Sequence, residues 1–361
     1  MNILDRLRPD LKDFVPYASA RRTGSVGRIR LDANESPWPS RGGTALNRYP
    51  APQPVELLTA LAELYGVATT NVWAGRGSDE AIDLLVRAFC RAGVDNVVAA
   101  TPTFGMYSIA ARLQGAGFRG VPLEARDGFQ VDTDRLLAAV DADTKIVVLC
   151  SPNNPTGTLN HDAIEGLARS LENRALLLVD EAYIEFAGAR SAIGDLARFG
   201  NLAVLRTLSK AHALAGARIG ALVAHPAVIT LVNAIAAPYP LPTPSVDAAL
   251  VALSRDALTA ADQRVGMLVD ERERVCRHLA LATDIDEVFP SSANFVLVRC
   301  VDASRRFGEL LEAGIRVRDV SSQPGLADCL RISIGSPVEN SELLAAFGID
   351  PRVQNSMETA A

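Results

Sequence analysis

The chain has 361 residues, 36 Lys plus Arg against 42 Asp plus Glu, and a formal net charge of −6. At 48% apolar and 22% charged it is too apolar to be disordered, and its length suggests about two cored domains. The acidic balance and an aromatic content of 5% argue against a general nucleic-acid binder, which needs cationic surface and stacking rings.

Residues 1–45 are rich in Pro, Gly and Arg and read as an irregular arm with one short strand over 28–32. Its first fourteen residues are charged every two or three positions and lack the apolar core of a secretory signal. Helices are expected over 55–65 and 79–91. In the second, Ile82, Leu85, Val86 and Phe89 fall on one face, Ser78 or Asp79 can cap, and Glu80 complements the dipole. Residues 71–74 are strand-like. Further apolar runs at 96–100, 120–122, 145–150, 175–179, 201–206 and 219–224 read as strands, with helices at 108–114, 133–140 and 161–171 between them. Strands that are apolar throughout and alternate with helices predict a mainly parallel sheet covered on both faces. The uncharged stretch 219–240 is interrupted by Gly220 and by His225-Pro226, so it reads as strand, turn and buried helix and not as a membrane span. A helical region follows from Pro244 to about Ala280. Strands at 295–299, 315–319 and 330–334, mixed with helices, predict a smaller α+β domain. The expected division is a large α/β domain over 46–265, a small domain from 1–45 and 266–350, and a frayed tail over 351–361.

Five Cys are widely spaced, odd in number and without a Cys-x-x-Cys pair, as expected of reduced thiols in a cytoplasmic protein. The four His form no zinc-ligand spacing, so no metal is expected.

The most obvious motif is misleading. Gly115-Ala-Gly117-Phe-Arg-Gly120 matches G-x-G-x-x-G, but a helix precedes it and a short strand follows, the reverse of a dinucleotide fingerprint. It reads as a helix C-cap and turn. Ala74-Gly-Arg-Gly-Ser-Asp-Glu80 instead follows a strand and opens a helix. It is either a Gly-rich turn or a phosphate site made by the backbone N–H groups of Gly77, Ser78 and Asp79.

Three further clusters lie at C-terminal strand ends, where a parallel sheet presents its ligands. Cys150-Ser-Pro-Asn-Asn-Pro-Thr-Gly157 is a rigid loop, either a simple turn or a device that aims an amide into a cleft. Asp180 ends a wholly apolar strand, where a carboxylate needs a cation or a proton donor, and Tyr183 follows three residues on. Lys210, beside Ser209 and eight residues before Arg218, is one of only three lysines; Lys12 and Lys145 read as solvated. A lysine partly shielded from water can act as an amine nucleophile. Together these groups describe one ligand. A lysine can bond an aldehyde, an acid can keep a pyridine nitrogen protonated, Tyr and Asn can bond a phenolic oxygen, and Ser, Arg and a helix start can hold a phosphate. That ligand is pyridoxal 5′-phosphate (PLP).

On these residues the chain resembles the fold-type I, PLP-dependent aminotransferases of class II, and within them the histidinol-phosphate group. The resemblance covers residues 12–347. Ser151-Pro-Asn-Asn-Pro-Thr-Gly157 and Ser209-Lys210 mark the superfamily. Leu31-Asp-Ala-Asn-Glu35, Asn47-Arg-Tyr-Pro50, Asp180-Glu-Ala-Tyr-Ile-Glu-Phe186 and Ala237-Pro-Tyr-Pro-Leu241 point to the group. It implies that Lys210 bonds the cofactor and shuttles protons, that Asp180 pairs with the pyridinium, and that Asn154 and Tyr183 bond the ring oxygen. Gly77, Ser78, Asp79, Ser209 and Arg218 would hold the cofactor phosphate, Phe104 would stack on the ring, and Tyr49 would reach the phosphate from the neighbouring subunit of a homodimer. Arg331 would grip the substrate carboxylate or phosphate, with Tyr17, Asn34 and Arg318 lining the substrate pocket. The implied activity is amino transfer between L-histidinol phosphate and 2-oxoglutarate (with glutamate as the amino donor), in histidine biosynthesis, by a cytoplasmic enzyme with neither nucleic-acid nor membrane partners. Alternatives within the fold are an aromatic-amino-acid aminotransferase or a phospho-amino-acid decarboxylase. A non-catalytic PLP-fold regulator is opposed by the presence of Lys210. Phe104, Arg76 and His212 depart from the commoner Tyr, Asn and Phe, and His212 is expected to pack near the site.

Overall fold

A computed structural model describes residues 3–12, 14–15, 29–41 and 46–349. Tyr17, the Pro16 to Arg22 motif and the tail over 351–361 lie outside the described residues. So does Arg28, and residues 29–32 form no strand: Ile29 and Leu31 are exposed, so no packed face supports one.

Seven strands form the large sheet: β1 (Val72–Gly75), β2 (Asn96–Thr101), β3 (Gly117–Pro122), β4 (Thr144–Cys150), β5 (Leu176–Asp180), β6 (Leu202–Thr207) and β7 (Gly220–Ala224). Their order is β1-β7-β6-β5-β4-β2-β3, and only β7 runs against its neighbours. The mainly parallel sheet expected from the apolar runs is therefore present, with helices on both faces. These are α1 (Val55–Tyr65), α2 (Ser78–Phe89), α3 (Met106–Gln114), α4 (Thr133–Ala138), α5 (Ala163–Ser170), α6 (Pro226–Ile235) and α7 (Thr243–Ala252). Leu85 and Phe89 of α2, Tyr107 of α3 and Val232 of α6 pack on one face; Leu136 of α4 and Leu167 of α5 pack on the other. Each fully buried Leu or Phe contributes roughly 1.5–3 kcal/mol, so this sandwich is rigid enough to fix side chains at its rim.

The long helical region divides after Ala252, and α8 (Arg255–Leu279) carries the chain to a second sheet. It consists of β8 (Ile285–Val288), β9 (Phe295–Cys300), β10 (Arg318–Asp319) and β11 (Cys329–Ser333), in the order β10-β11-β9-β8 and antiparallel throughout, with α9 (Ala303–Glu312) and α10 (Pro337–Ala346). Its core includes Val275, Val296, Val298, Leu310, Ile332 and Leu344. The edge strand β8, sequence IDEV, was not foreseen because its charged residues hide the strand pattern.

The two sheets meet where Tyr183 and Phe186 pack against Val265, Leu268, Ala293 and Phe295. Buried Arg272 of α8 ties that seam, donating to the carbonyls of Phe186 (3.2 Å) and Ala293 (3.0 Å). The start of the arm packs on the large sheet, not the small one with which the sequence reading grouped it. Ile3 and Leu7 join the α2 core because they are apolar, and Arg8 N–H donates to Ala88 O at 3.1 Å. None of the described helices is long and apolar enough to cross a membrane.

Candidate active site

The site lies at the C-terminal rim of β4, β5 and β6. At its floor α2 begins on Gly77, whose φ of +82° only glycine adopts readily, and no side chain caps the helix. Ser78 and Asp79 are thus first-turn residues and not the cap expected from the sequence, since the tight turn requires the glycine there. A Cβ on Gly77 would stand 2.5 Å from Arg218 Nη2, and a Cβ on Gly220 would stand 2.3 Å from Ser78 N. Both glycines let β7 and Arg218 approach the start of the helix. Arg218 Nη2 donates to Asp79 Oδ2 (3.1 Å) and Nη1 to Ser209 Oγ (3.4 Å). Uncapped N–H groups, a hydroxyl and a guanidinium thus converge in a cradle suited to an anion.

Asp180 ends β5 opposite Cys150 of β4 and is buried. Oδ1 accepts from Ala182 N–H (3.1 Å) and Oδ2 from Tyr107 Oη (2.7 Å). Burial raises its pKa to about 6; the Tyr107 and Ala182 hydrogen bonds pull it back down. Glu181, the next residue, points to the other side of the strand end. It accepts from Ser191 Oγ (2.5 Å) and Ala192 N–H (2.7 Å) and lies 3.6 Å from Arg206, so it is a structural group.

The two asparagines of the 151–157 loop divide their tasks. Asn153 scaffolds: its amide donates to Pro102 O (3.0 Å) and Thr156 Oγ1 (2.9 Å) and accepts from Thr103 Oγ1 (2.8 Å). Asn154 faces the cleft, donating to Tyr183 Oη (3.2 Å) and accepting from Arg331 Nη1 (2.6 Å). Arg331 lies over the Phe295 ring at 5.3 Å and has a buried Nε with no partner. Burial foremost, and then the charge of Arg318, lower its pKa.

Lys210 follows β6 and reaches into the cleft with Nζ 5.6 Å from the Tyr183 ring centre. Burial by the cleft walls, then Arg331 and Arg218, lower its pKa, which favours the neutral amine. Lys145, read as solvated from sequence, is in fact buried and ion-paired with Asp95 at 3.4 Å, because β4 draws it in with the sheet. Lys12 is exposed.

A cavity of about 260 Å³ is lined by Ser78, Asp79, Phe104, Asn154, Asp180, Tyr183, Ser209, Lys210, Arg218 and Arg331, together with Cys150, Ala182, Thr207 and Ala215. Ten of the fifteen residues expected at the site therefore meet in one cleft, with Gly77 behind the cradle. Arg318 is exposed on β10, paired in register with Arg331, and does not line the cavity. Asn34 and Tyr49 line a different cavity of about 430 Å³, and Tyr49 stacks on Tyr239 at 4.4 Å. There Glu35 accepts from Arg48 Nη1 (2.8 Å) and Tyr49 N–H (2.6 Å), shaping the segment that presents Tyr49. His212 is buried and does not line the cleft. Sequence reasoning gave Tyr107 no role in the site, although it belongs to the Pro102-Thr-Phe-Gly-Met-Tyr107 stretch that shares in the resemblance and stands in the first turn of α3.

The cleft's donor set fits PLP: an anion cradle, a reactive amine, a buried carboxylate, two groups for a phenolic oxygen and an aromatic wall. Among the described residues there is no cluster of acidic, His and Cys groups that could hold a metal.

Residues 21–347 match the family of class I and II aminotransferases. Curated relatives include the histidinol-phosphate aminotransferases of Xanthomonas euvesicatoria pv. vesicatoria and Stenotrophomonas maltophilia. Each is 48% identical over 351 residues, covering 96% of this chain and 97% and 96% of theirs. Among solved structures, histidinol-phosphate aminotransferase from Sinorhizobium meliloti, in complex with pyridoxal-5′-phosphate, superposes with a TM-score of 0.76 at 30% identity, covering 84% of this chain and 82% of that one. A match across nearly the whole chain, on a cleft so composed, means that this protein belongs to the class I and II aminotransferases.

Proposed function

We propose that the chain is a PLP-dependent histidinol-phosphate aminotransferase, moving an amino group between L-histidinol phosphate and 2-oxoglutarate. The observation that carries the chemistry is the convergence of Lys210, Asp180 and the Gly77–Arg218 cradle in one cleft. The near-full-length similarity to histidinol-phosphate aminotransferases supports the substrate. Bound there, PLP supplies an aldehyde carbon that takes up amines and a pyridinium ring that accepts electrons.

The roles of the residues follow from their chemistry. Lys210 Nζ would hold the cofactor's aldehyde carbon and would take and return the proton at the substrate's Cα. Asp180 accepts the ring N–H. Tyr183 Oη and Asn154 Nδ2 serve the ring oxygen, and Phe104 covers one face. Ser78, Asp79, Ser209 and Arg218 hold the cofactor phosphate; the Asp79 carboxylate turns to Arg218, leaving its N–H to the anion. Arg331 presents a planar fork to a carboxylate or a phosphate. Arg318 and Asn34, which line no part of the cleft in one chain, would join the substrate pocket from its outer side. The enzyme acts in the cytoplasm as a homodimer, each subunit lending Tyr49 to its neighbour; the exposure of Tyr49, outside the cleft of its own chain, supports this reading.

The test is a comparison of amino donors with PLP-loaded protein and 2-oxoglutarate, following glutamate. L-histidinol phosphate should exceed L-phenylalanine in kcat/KM by more than about tenfold. A preference for phenylalanine would replace the reading with an aromatic-amino-acid aminotransferase.

A further inference from the structure

Tyr107 has no part in the roles above, yet it is 1% exposed and its hydroxyl makes the shortest polar contact to Asp180 that the carboxylate has, at 2.7 Å. It stands in the first turn of α3, and its ring is fixed edge-on by Phe104, with centres 5.7 Å apart and planes at 83°. The two oxygens of Asp180 are thus held differently. Oδ1 is held by the N–H of its own loop at Ala182, and Oδ2 by a side chain from across the sheet.

Each of these oxygens keeps lone pairs for a further donor. A carboxylate at the end of an apolar strand otherwise tends to take up a proton. The titratable groups facing Asp180 are Asp79 from α2, Tyr107 from α3, Cys150 from β4, Tyr183 after β5 and Lys210 after β6. Asp79 opposes the charge and Lys210 favours it. Burial pushes the Cys150 thiol up to about 12 and the Tyr183 phenol up as well, so both stay neutral. After burial itself, the Tyr107 hydrogen bond is the strongest influence on Asp180, and it favours the charged form.

We infer that Tyr107 is a positioning residue whose hydroxyl fixes the orientation of Asp180 and keeps the carboxylate charged for the ring nitrogen of the cofactor. This rests on the PLP reading above. Tyr107→Phe removes one oxygen and keeps every ring contact. The apoprotein's affinity for PLP should weaken on the acid side as Asp180 takes up its proton. Without Tyr107 that proton is held to higher pH, so the acid limb of affinity should move up by about one pH unit, a tenfold loss of affinity within the window. The kcat should fall by about tenfold, with little change in KM for histidinol phosphate. In an Asp180→Asn background, adding Tyr107→Phe should not move the limb.

The measurement is the PLP dissociation constant of wild type and variants against pH, with thermal unfolding of each apoprotein alongside. A lower unfolding temperature with an unmoved acid limb would make Tyr107 a packing residue and overturn the inference. Should Tyr107→Phe not fold, the Tyr107→Phe/Asp180→Asn pair decides, because it leaves no carboxylate untethered: recovery of folding supports the tether, and failure overturns it. A wild type that takes up no PLP defeats the functional reading. A wild type that does, with a superposing Tyr107→Phe profile, defeats this inference alone.

Discussion

Asp180 and Glu181 are adjacent carboxylates with opposite tasks, and their surroundings assign them. Glu181 is paired with Arg206 and two donors, whereas Asp180 has two neutral donors and no cation in contact. Asp180 therefore destabilises the empty fold. The folded chain holds its proton up to about pH 6, whereas an Asp in an unfolded chain releases it near 3.8. Between these values the folded apoprotein binds more protons. Relative to the protonated form, its contribution to stability is full below 3.8 and is lost as pH rises through about 6. Asp180→Asn should thus stabilise the apoprotein at neutral pH by up to about 3 kcal/mol and flatten its stability over that window, while activity falls at least about hundredfold. Chemical denaturation at two pH values checks this; a variant no more stable than wild type would show that the carboxylate is already charged and satisfied. At this scale Lys210 was legible by elimination among three lysines and Asp180 by its place at a strand end. Tyr107 was not, because its partner lies 73 positions away and only the packing of α3 brings them together. Asn154 was told from Asn153 only by the resemblance, since the two are adjacent and of one residue type.

At the scale of elements, what could be read was whatever packing dictates on both faces. The apolar runs of β4, β5 and β6 and the stripe of α2 appear within a residue or two of the expected bounds, since burial leaves no other register open. The G-x-G-x-x-G match resolved as the sequence context required: Gly115 is the left-handed cap of α3, and β3 begins at Gly117. Exposed or charged elements were the ones misjudged. Strand β8 sets Asp286 and Glu287 side by side between Ile285 and Val288, and residues 29–32, where a strand was expected, form none. The cradle depends on contacts between elements far apart in sequence: Gly220 of β7 makes room for Ser78 of α2, which no local pattern announces.

For the whole molecule, the seam between the two sheets places Arg331 of the second against Asn154 and Tyr183 of the first, so the cleft needs both. We propose the division of the chain near residue 265, within α8, whose Val265, Leu268 and Val269 pack into that seam. The proposed exchange of Tyr49 adds a second whole-molecule dependence. Mixing Tyr49→Phe with Lys210→Ala subunits should restore activity above that of either parent, since one site of each mixed dimer joins an intact Lys210 to an intact Tyr49. Activity no higher than the Tyr49→Phe parent's share would confine the site to one chain. The central claim, that Lys210 is the amine holding PLP in an aminotransferase cleft, is tested most directly by reducing PLP-loaded protein with borohydride and locating the added mass by peptide mass spectrometry. The account predicts that the mass lies on Lys210 alone and is absent from the Lys210→Ala protein; a mass on Lys12 or Lys145, or none on Lys210, would contradict it.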